Sequence, residues 1–320
     1  MSKPANTSKW LVAAWPGMGN VAVLSAGYLL QKLGFEPVAE LPPQGRFDIE
    51  NINVQGGLIE TPRLPRNVLF RHPKPEPGRD FTVFLGEAQP SSGSYGFAHE
   101  LIDKASEFGL ERVITFASIA SQLHPSKQPR VYGAATSKEV LDELGRAEVQ
   151  RLEDGQIGGL NGVVLGAAAK RGLQGVCLLG EIPFFAAGVP NPKAARAVLD
   201  AFALIGGFEV DMAELDKHVK AMDAVMLRLL EKLQSEQGIV LDEDEGGSGP
   251  EAHGGADEPE KPEKPEKPAL DYATRQRIER LFDEAKRDRT KGVGLKQELD
   301  RLGVFAQYED RFLDLFKRAE

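Results

Sequence analysis

The sequence contains one cysteine, few aromatic residues and no long apolar run. Cys177 is the only cysteine, so an internal disulfide cannot form and a metal site of several thiolates is excluded. It lies in the apolar run VCLL, which predicts a buried, unreactive thiol. No apolar stretch approaches the ~20 residues of a membrane span, and the first ten residues lack the apolar core of a signal peptide. We therefore expect a cytoplasmic protein that has no membrane partner.

Signatures of common catalytic sites are also missing. The sequence has no G-x-S-x-G elbow, no H-E-x-x-H motif and no Walker G-x-x-x-x-G-K-[ST] motif. Its five histidines are scattered without the spacing of metal ligands. We therefore expect no metal, no cofactor and a protein that is not an enzyme.

The charge balance argues against nucleic acid as a partner. The 320 residues include 48 acidic and 39 basic ones, which gives a formal net charge of -9. Such a chain lacks the basic surface that attracts phosphate backbones. Hydrophobic residues make up 41% of the sequence, enough for a packed core in one large domain or two ordinary ones.

The first patterned stretch opens a βα unit. Residues 9–15 form a short apolar run typical of a strand that is buried on both faces. Residues 16–20 (PGMGN) have the composition of a turn, and Val21–Leu33 has apolar residues at helical spacing before Gly34. In such units the turn lies at the carboxyl end of the strand, where helix N–H groups face a crevice.

Two interpretations of this turn are open. Gly17, Gly19 and Ala22 match the G-x-G-x-x-[GA] dinucleotide fingerprint, and Glu40 follows at the distance of an acidic partner for a ribose. The alternative is structural, since two glycines at such a turn allow the backbone to bend and the helix to pack closely. Spacing alone does not decide between them.

Strand and helix patterns then alternate along the chain. An antiparallel excursion over residues 47–72 makes the predicted sheet mixed. This alternation predicts a three-layer α/β/α domain. The predicted strands are residues 9–15, 35–41, 68–72, 81–86, 111–117, 131–136, 149–152 and 175–181, and the predicted helices are 21–33, 97–108, 138–144, 163–170 and one that begins at Pro192.

Several polar residues follow predicted strands at one edge of the sheet, where ligands bind in α/β proteins. Glu181 ends the strand 175–181, and Glu87 follows the strand 81–86 in the same manner. The candidate ligand-binding residues are Gly17, Met18, Gly19, Asn20, Asn161 and Glu181. The alternative is that these polar residues only mark where strands reach the surface.

A long amphipathic helix follows the α/β pattern. Asp211 and Glu214 have the spacing of a capping box, and apolar residues then recur every three or four positions. The helix either lies on its own domain or joins copies of the protein, and both can hold at once. The residues of this seam are Met212, Leu215, Val219, Met222, Met226, Leu229 and Leu233.

Composition divides the chain into three parts. Residues 1–240 form the α/β/α domain, and residues 241–268 form a disordered linker with three Glu-Lys-Pro repeats, which favour extended polyproline geometry. Residues 269–320 form a small helical docking module. Its predicted apolar faces are Ile278, Leu281, Phe282 and Ala285, then Leu295, Leu299 and Leu302, then Tyr308, Phe312, Leu315 and Phe316.

Three segments carry a family resemblance. Residues 16–22 (PGMGNVA), 157–162 (IGGLNG) and 179–195 (LGEIPFFAAGVPNPKAA) resemble, in this order, the archaeal and bacterial branch of the proteasome assembly chaperone 2 family. The resemblance covers about residues 9–237. It implies a mixed sheet in a three-layer fold related to the phosphorylase/hydrolase-like folds, homo-oligomers, and a role in assembling other proteins. It also accounts for the glycine turn without a nicotinamide cofactor.

The end of the sequence departs from that pattern. Archaeal relatives that engage proteasomes are similar to one another in a C-terminal hydrophobic-Tyr-X tail, whereas this sequence ends FKRAE. We therefore do not expect proteasome docking by that route. We expect a non-enzymatic homo-oligomer that assists the assembly or binding of other proteins, with the tail module recruiting an unknown partner. The alternative is a small-molecule or nucleotide-binding protein, or an enzyme, that uses the crevice at residues 17–20.

Overall fold

The computed structural model describes residues 9–43, 45–49, 52–74, 80–237 and 241, with Ile278, Leu281, Phe282, Leu295, Leu299 and Tyr308. The chain forms two compact units, Met1–Asp257 and Glu258–Glu320. Apart from Leu241, the predicted linker 241–268 lies outside the described residues. Within the described residues, no helix is both long and apolar enough to cross a membrane.

The first unit is a mixed sheet between two layers of helices, as the sequence predicts. Its strands are β1 Trp10–Ala14, β2 Glu36–Glu40, β3 Val54–Gln55, β4 Leu58–Ile59, β5 Asn67–Arg71, β6 Thr82–Gly86, β7 Arg112–Ser121, β8 Val131–Ala135, β9 Gln150–Arg151 and β10 Gln174–Pro183. Its helices are α1 Val21–Leu33, α2 Ser94–Ser106, α3 Lys138–Leu144, α4 Gly159–Lys170, α5 Pro192–Gly206 and α6 Ala213–Gln237.

Eight of these strands form one sheet in the order β2-β5-β6-β1-β7-β10-β8-β9. The central strands β6, β1, β7 and β10 are parallel. Towards one edge β5 runs antiparallel to both β6 and β2, and towards the other β8 runs antiparallel to β10. Parallel strands need helical crossovers, and these cover the two faces of the sheet.

The strand β1 separates two hydrophobic cores. Trp10 and Val12 belong to the core that includes side chains of α1 and α5, whereas Leu11 and Ala13 belong to the core of α2 and α4. Because successive side chains of a strand point to opposite faces, an apolar run with no polar alternation is what a strand in the middle layer requires.

Two strands are longer than predicted. β7 and β10 pair in parallel over ten residues, from Arg112 opposite Gln174 to Ser121 opposite Pro183. The predicted strands end at residues 117 and 181, so Glu181 lies within β10 and not at its end. The helix α4 also begins earlier than predicted, at Gly159, which places Asn161 in its first turn.

The excursion after β2 has two parts. β5 returns to the sheet between β2 and β6, which accounts for the mixed sheet. Within the described residues, β3 and β4 pair only with each other and form a separate hairpin. Residues 52–63 are all exposed.

The second unit is described at six positions, and all six are helical. Ile278, Phe282, Leu295 and Leu299 are fully buried, and the rings of Phe282 and Tyr308 lie 5.8 Å apart. These six positions belong to the apolar faces of the three predicted amphipathic helices. The extent of the helical module, 269–320, remains a prediction because its other residues lie outside the described set.

Candidate functional site

The glycine turn after β1 has a conformation that requires glycine. Gly19 has φ +62° and Asn20 has φ +50°, so two successive residues are left-handed before α1 begins. A side chain at residue 19 would be strained there. Its Cβ would also lie 3.3 Å from Cβ of Asn191. Gly17 is different, because its backbone is extended, with φ -164°.

Hydrogen bonds within the protein use most of the polar backbone groups of this turn. The amide of Gly19 donates to the carbonyl oxygen of Ala187 at 2.7 Å, and the amide of Asn191 donates to the carbonyl oxygen of Gly19 at 2.7 Å. The hydroxyl of Ser118 donates to the carbonyl oxygen of Met18 at 2.7 Å. The turn is therefore tied to the loop between β10 and α5 and to β7.

Asn161 supports the turn from the other side. Its Oδ1 accepts from the amide of Trp15 at 3.3 Å, and the residue is only 4% exposed. Beside it, Gln89 donates to the carbonyl oxygen of Pro16 at 2.9 Å and accepts from the amide of Leu160 at 2.9 Å. These two amide side chains therefore link β1 and its turn to the start of α4, and neither projects into open solvent.

Glu181 is held in an internal ion pair. Its carboxylate is fully buried and accepts from Nε of Arg130 at 3.0 Å and from the hydroxyl of Ser121 at 2.7 Å. The backbone amide of Arg130 donates to the same carboxylate at 3.0 Å. Burial by itself would raise the pKa of the Glu181 carboxyl, but the hydrogen bonds from Arg130 and Ser121 together outweigh it and hold the pKa below its usual value.

The cavity beside Glu181 is too small for a substrate. It has a volume of about 10 Å³ and is also lined by Asn191, Lys193 and Met222. A space of that size holds about one water molecule. Glu181 thus lies in a small crevice under α6, with both carboxylate oxygens already bonded.

The other two acidic candidates also pair with arginines. Glu87 binds Arg63 and the backbone amide of Arg66, and Glu40 binds the guanidinium of Arg66 at 2.9 Å. In the sheet, β5 and β6 separate β2 from β1. Glu40 therefore does not end a strand next to β1, where an acidic partner for a bound ribose would be needed. This topology argues against the dinucleotide interpretation of the turn.

Sequence reasoning missed the residues that complete these contacts. They are Gln89, Arg130 and Asn191. Asn191 had a detectable signal, because Asn before Pro192 is a typical helix N-cap, and its side chain accepts from the amide of Ala194 at 2.9 Å. For Arg130 no sequence pattern indicated the contact with Glu181, because the residue lies in a loop 51 positions away.

The seam of α6 packs partly on its own chain. Met212 and Leu215 are buried in the core that includes α1 and α5, and Met226 is buried as well. The hydroxyl of Tyr28 donates to the carbonyl oxygen of Asp211 at 2.7 Å, which fixes the start of the helix against α1. The remaining seam residues, Val219, Met222, Leu229 and Leu233, are half-buried.

The start of α6 differs from the predicted capping box. Asp211, the first residue of the predicted capping box, accepts from the amide of Ala213 at 3.0 Å and so caps the helix as predicted. Glu214 instead lies 2.9 Å from Nζ of Lys32 on α1. The acidic residue that would complete the box therefore links two helices.

A model of the PAC2 family matches residues 11–230. The chain belongs to the PAC2 family. The match includes the glycine turn, Asn161, Glu181 and most of α6. The sequence is also 32% identical to an uncharacterized protein of Methanocaldococcus jannaschii over 222 residues, which are 67% of this chain and 80% of that protein.

Solved structures agree with this assignment. PbaB of Pyrococcus furiosus, described as an archaeal proteasome activator, is 28% identical, with a TM-score of 0.59 over 72% of this chain and 96% of PbaB. A proteasome-assembly chaperone homologue of Mycobacterium tuberculosis is 22% identical, with a TM-score of 0.59 over 71% of this chain and 96% of its own. The second comparison shows that the fold is shared even at 22% sequence identity.

Proposed function

We propose that this PAC2 protein is a non-enzymatic oligomer that assists the assembly or binding of other proteins. The observation that carries the proposal is the closed turn of residues 17–20, whose backbone groups bond to Ala187, Asn191 and Ser118. Nucleotide sites at such turns present free backbone N–H groups to phosphate, whereas here the amide of Gly19 already has an acceptor. The description of PbaB as a proteasome activator supports a role that acts on another protein.

A proteasome core particle is the first partner to test. The purified chain would be mixed with core particles from the same cells and separated by native electrophoresis, and hydrolysis of a fluorogenic peptide would be followed in parallel. We expect a slower-migrating complex or a changed rate of hydrolysis. If neither changes at micromolar concentrations, the proteasome is not the partner, and the chain would next be cross-linked in its own cells.

The tail module is proposed to recruit the partner. Buried Phe282 and its ring contact with Tyr308 support a packed helical unit beyond the linker. The test compares affinity-purified full chain with a chain that lacks residues 241–320, after cross-linking in cells. We expect the truncated chain to lose its main partner while its oligomer keeps the same number of subunits. A partner that remains bound to the truncated chain would contradict this role of the tail.

The seam of α6 is proposed as a contact between copies. Support comes from its half-buried residues and from Val225, which is 42% exposed on the same helix. Met212 and Leu215 pack the start of the helix on the core, whereas Leu229 lies farther along the seam. Leu229→Glu would therefore place a charge on the seam outside that packed part. Weaker self-association of this variant in analytical ultracentrifugation is expected. Unchanged association would restrict the seam to packing within one chain.

Ligand binding at Gly17, Met18, Gly19, Asn20, Asn161 and Glu181 remains the alternative prediction. The bonded state of Asn161 and Glu181 favours a structural role for both. Thermal unfolding with and without millimolar ATP tests the alternative directly. We expect no shift of the unfolding midpoint, and a rise of several degrees would favour a nucleotide site.

A further inference from the structure

A groove of about 350 Å³ lies between α4 and the last two strands of the sheet, β8 and β9. Ligand sites in proteins have volumes of roughly 300–1,000 Å³, so this groove has room for a small ligand or a short peptide segment. Glycine, alanine and aliphatic side chains form much of its lining, together with Thr136, and Glu153 is the one charged residue there. The groove is separate from the glycine turn, because no residue of the turn lines it.

The outer edge of β8 is paired over only part of its length. β9 has two residues, and its ladder with β8 ends at the pair of Gly133 with Arg151. The amide of Leu152 donates to the carbonyl oxygen of Gly133 at 2.9 Å, and β8 then continues to Ala135. Leu152 and Ala135 both line the groove. The position beside Ala135, where a longer β9 would lie, therefore belongs to the groove.

The backbone groups of Ala135 point away from β10. In an antiparallel pair, residues alternate between those that bond to the partner strand and those that face away from it. The amide of Thr136 donates to the carbonyl oxygen of Gly175, and the amide of Glu181 donates to that of Arg130, both at 3.0 Å. The even-numbered residues of this stretch thus bond to β10. Among the residues that the structure describes, neither the N–H nor the C=O of Ala135 has a hydrogen-bond partner.

A glycine that the fold does not require keeps the opposite wall open. Gly166 lies in the interior of α4, where glycine is less stable than alanine, and it lines the groove. A Cβ at this position would meet no atom within 4 Å. At Gly162 and Gly175, which also line the groove, an added Cβ would instead clash with Ile157 and with Thr136. The missing side chain of Gly166 therefore adds space to the groove and serves no packing contact.

The rim of the groove carries a negative charge that the chain does not neutralise. Glu153 is exposed, and its carboxylate has no ion pair or hydrogen bond within the described part of the chain. The nearest basic residue in the sequence, Arg151, pairs with Asp142 at 2.7 Å. Asp154 follows Glu153 and adds a second carboxylate. Charge complementarity at this rim therefore favours an amine or a guanidinium group.

We infer that the groove beside α4 binds an extended, cationic segment of a partner protein. The backbone of the segment bonds to the free N–H and C=O of Ala135 and so adds a short strand to the sheet where β9 ends. A side chain of the segment enters the space over Gly166, and a lysine or arginine of the segment reaches Glu153. This inference rests on the proposed function, because it specifies the kind of segment that a bound protein presents.

Short peptides test the groove in the purified full chain. The probes are six fluorescein-labelled hexapeptides of alternating valine and alanine, each with one lysine at a different position, and fluorescence anisotropy at low salt follows their binding. We expect at least one of them to bind with a dissociation constant below about 1 mM. Two versions of that peptide carry N-methyl groups on either the odd or the even backbone amides. One version should bind at least about five-fold more weakly, since it loses the donor to Ala135.

Three variants locate the bound peptide. Gly166→Leu fills the groove and should raise the dissociation constant at least about ten-fold. Its matched control is Gly27→Leu, because Gly27 lies inside α1, also has no atom within 4 Å of an added Cβ and is not part of the groove. Leucine is a better helix former than glycine, so neither change should lower the thermal unfolding midpoint. Glu153→Gln should weaken the lysine peptide by up to about five-fold and leave a norleucine version unaffected.

Three results would overturn the inference. The first is that none of the six peptides binds at 1 mM, and the second is that Gly166→Leu binds the peptide as tightly as the unchanged chain. The third is that both N-methylated versions bind normally, because a groove that receives only side chains or small molecules would give that result. The peptide test needs no cellular partner. Absence of a proteasome complex would therefore count against the proposed function and not against the groove.

Discussion

The guanidinium of Arg130 holds the buried carboxylate of Glu181, with Nε 3.0 Å from Oε2, although the two residues lie 51 positions apart. The backbone amide of Glu181 also donates to the carbonyl oxygen of Arg130, at 3.0 Å. Side chain and backbone thus join the segment before β8 to the carboxyl-terminal part of β10. A carboxylate so fully bonded stabilises the sheet and has no free oxygen for acid–base chemistry.

Removing the cation of this pair should destabilise the protein. Arg130→Met leaves a buried carboxylate without its partner, which we expect to lower the free energy of unfolding by about 2–4 kcal/mol, less than a fully buried pair because Arg130 is 33% exposed. Chemical denaturation measures this change in the free energy of unfolding. The control is Arg63→Met, whose pair with Glu87 is exposed and should contribute less than about 1 kcal/mol. Equal effects of the two changes would contradict the structural role of Arg130.

The Glu181 carboxylate should make the stability of the protein depend on pH. Burial alone would raise the pKa of Glu181, but the hydrogen bonds from Arg130 and Ser121 lower it from the ordinary 4.5. A group whose pKa is lower in the folded state stabilises the protein above its unfolded pKa. This contribution is therefore present above about pH 4.5 and is lost as the pH falls further through the folded pKa. Glu181→Gln should weaken the acid dependence of unfolding between pH 5 and pH 3, roughly the range that linkage predicts.

Cys177 should be inert in the folded protein. Burial raises the pKa of its thiol to about 12, and the residue is fully buried. Since the thiolate is the reactive form, we expect no reaction with Ellman's reagent at pH 8 until the protein is unfolded. One thiol per chain should then react. Rapid reaction before unfolding would indicate that β10 is exposed.

The two glycines of the turn should respond differently to the same change. Gly19→Ala forces a side chain into a left-handed conformation and towards Asn191, so we expect a loss of about 1–2 kcal/mol in stability. At Gly17 the backbone is extended and an added Cβ lies 3.7 Å from Asn161, an ordinary contact. Gly17→Ala should change stability by less than about 0.5 kcal/mol. Similar losses in thermal denaturation would argue against this account of the turn.

The sequence predicted the elements whose signals are local. The strand β1, the turn and α1 follow from a continuous apolar run, glycines and a helical pattern that ends at Gly34, whose φ of 68° closes the helix. The family segments and the alternation of elements gave the three-layer fold. The mixed sheet also follows from the antiparallel pattern that β5 confirms.

Contacts between distant segments were not predictable in this way. Polar Ser118 and Glu181 suggested that two strands end early, but backbone pairing of β7 with β10 continues past both residues. Their side chains bond to Met18 and Arg130, which the pattern around each residue does not indicate. The groups that form hydrogen bonds with the candidate residues therefore required the structure.

The most direct test of the proposed function is native mass spectrometry of the protein purified from its own cells. One spectrum gives the number of subunits and any retained small molecule or second polypeptide. We predict a discrete oligomer, bound in part to a second polypeptide, with no added mass of nucleotide size. A single chain that carries one stoichiometric small molecule would contradict the account and would make the turn at Gly19 a ligand site.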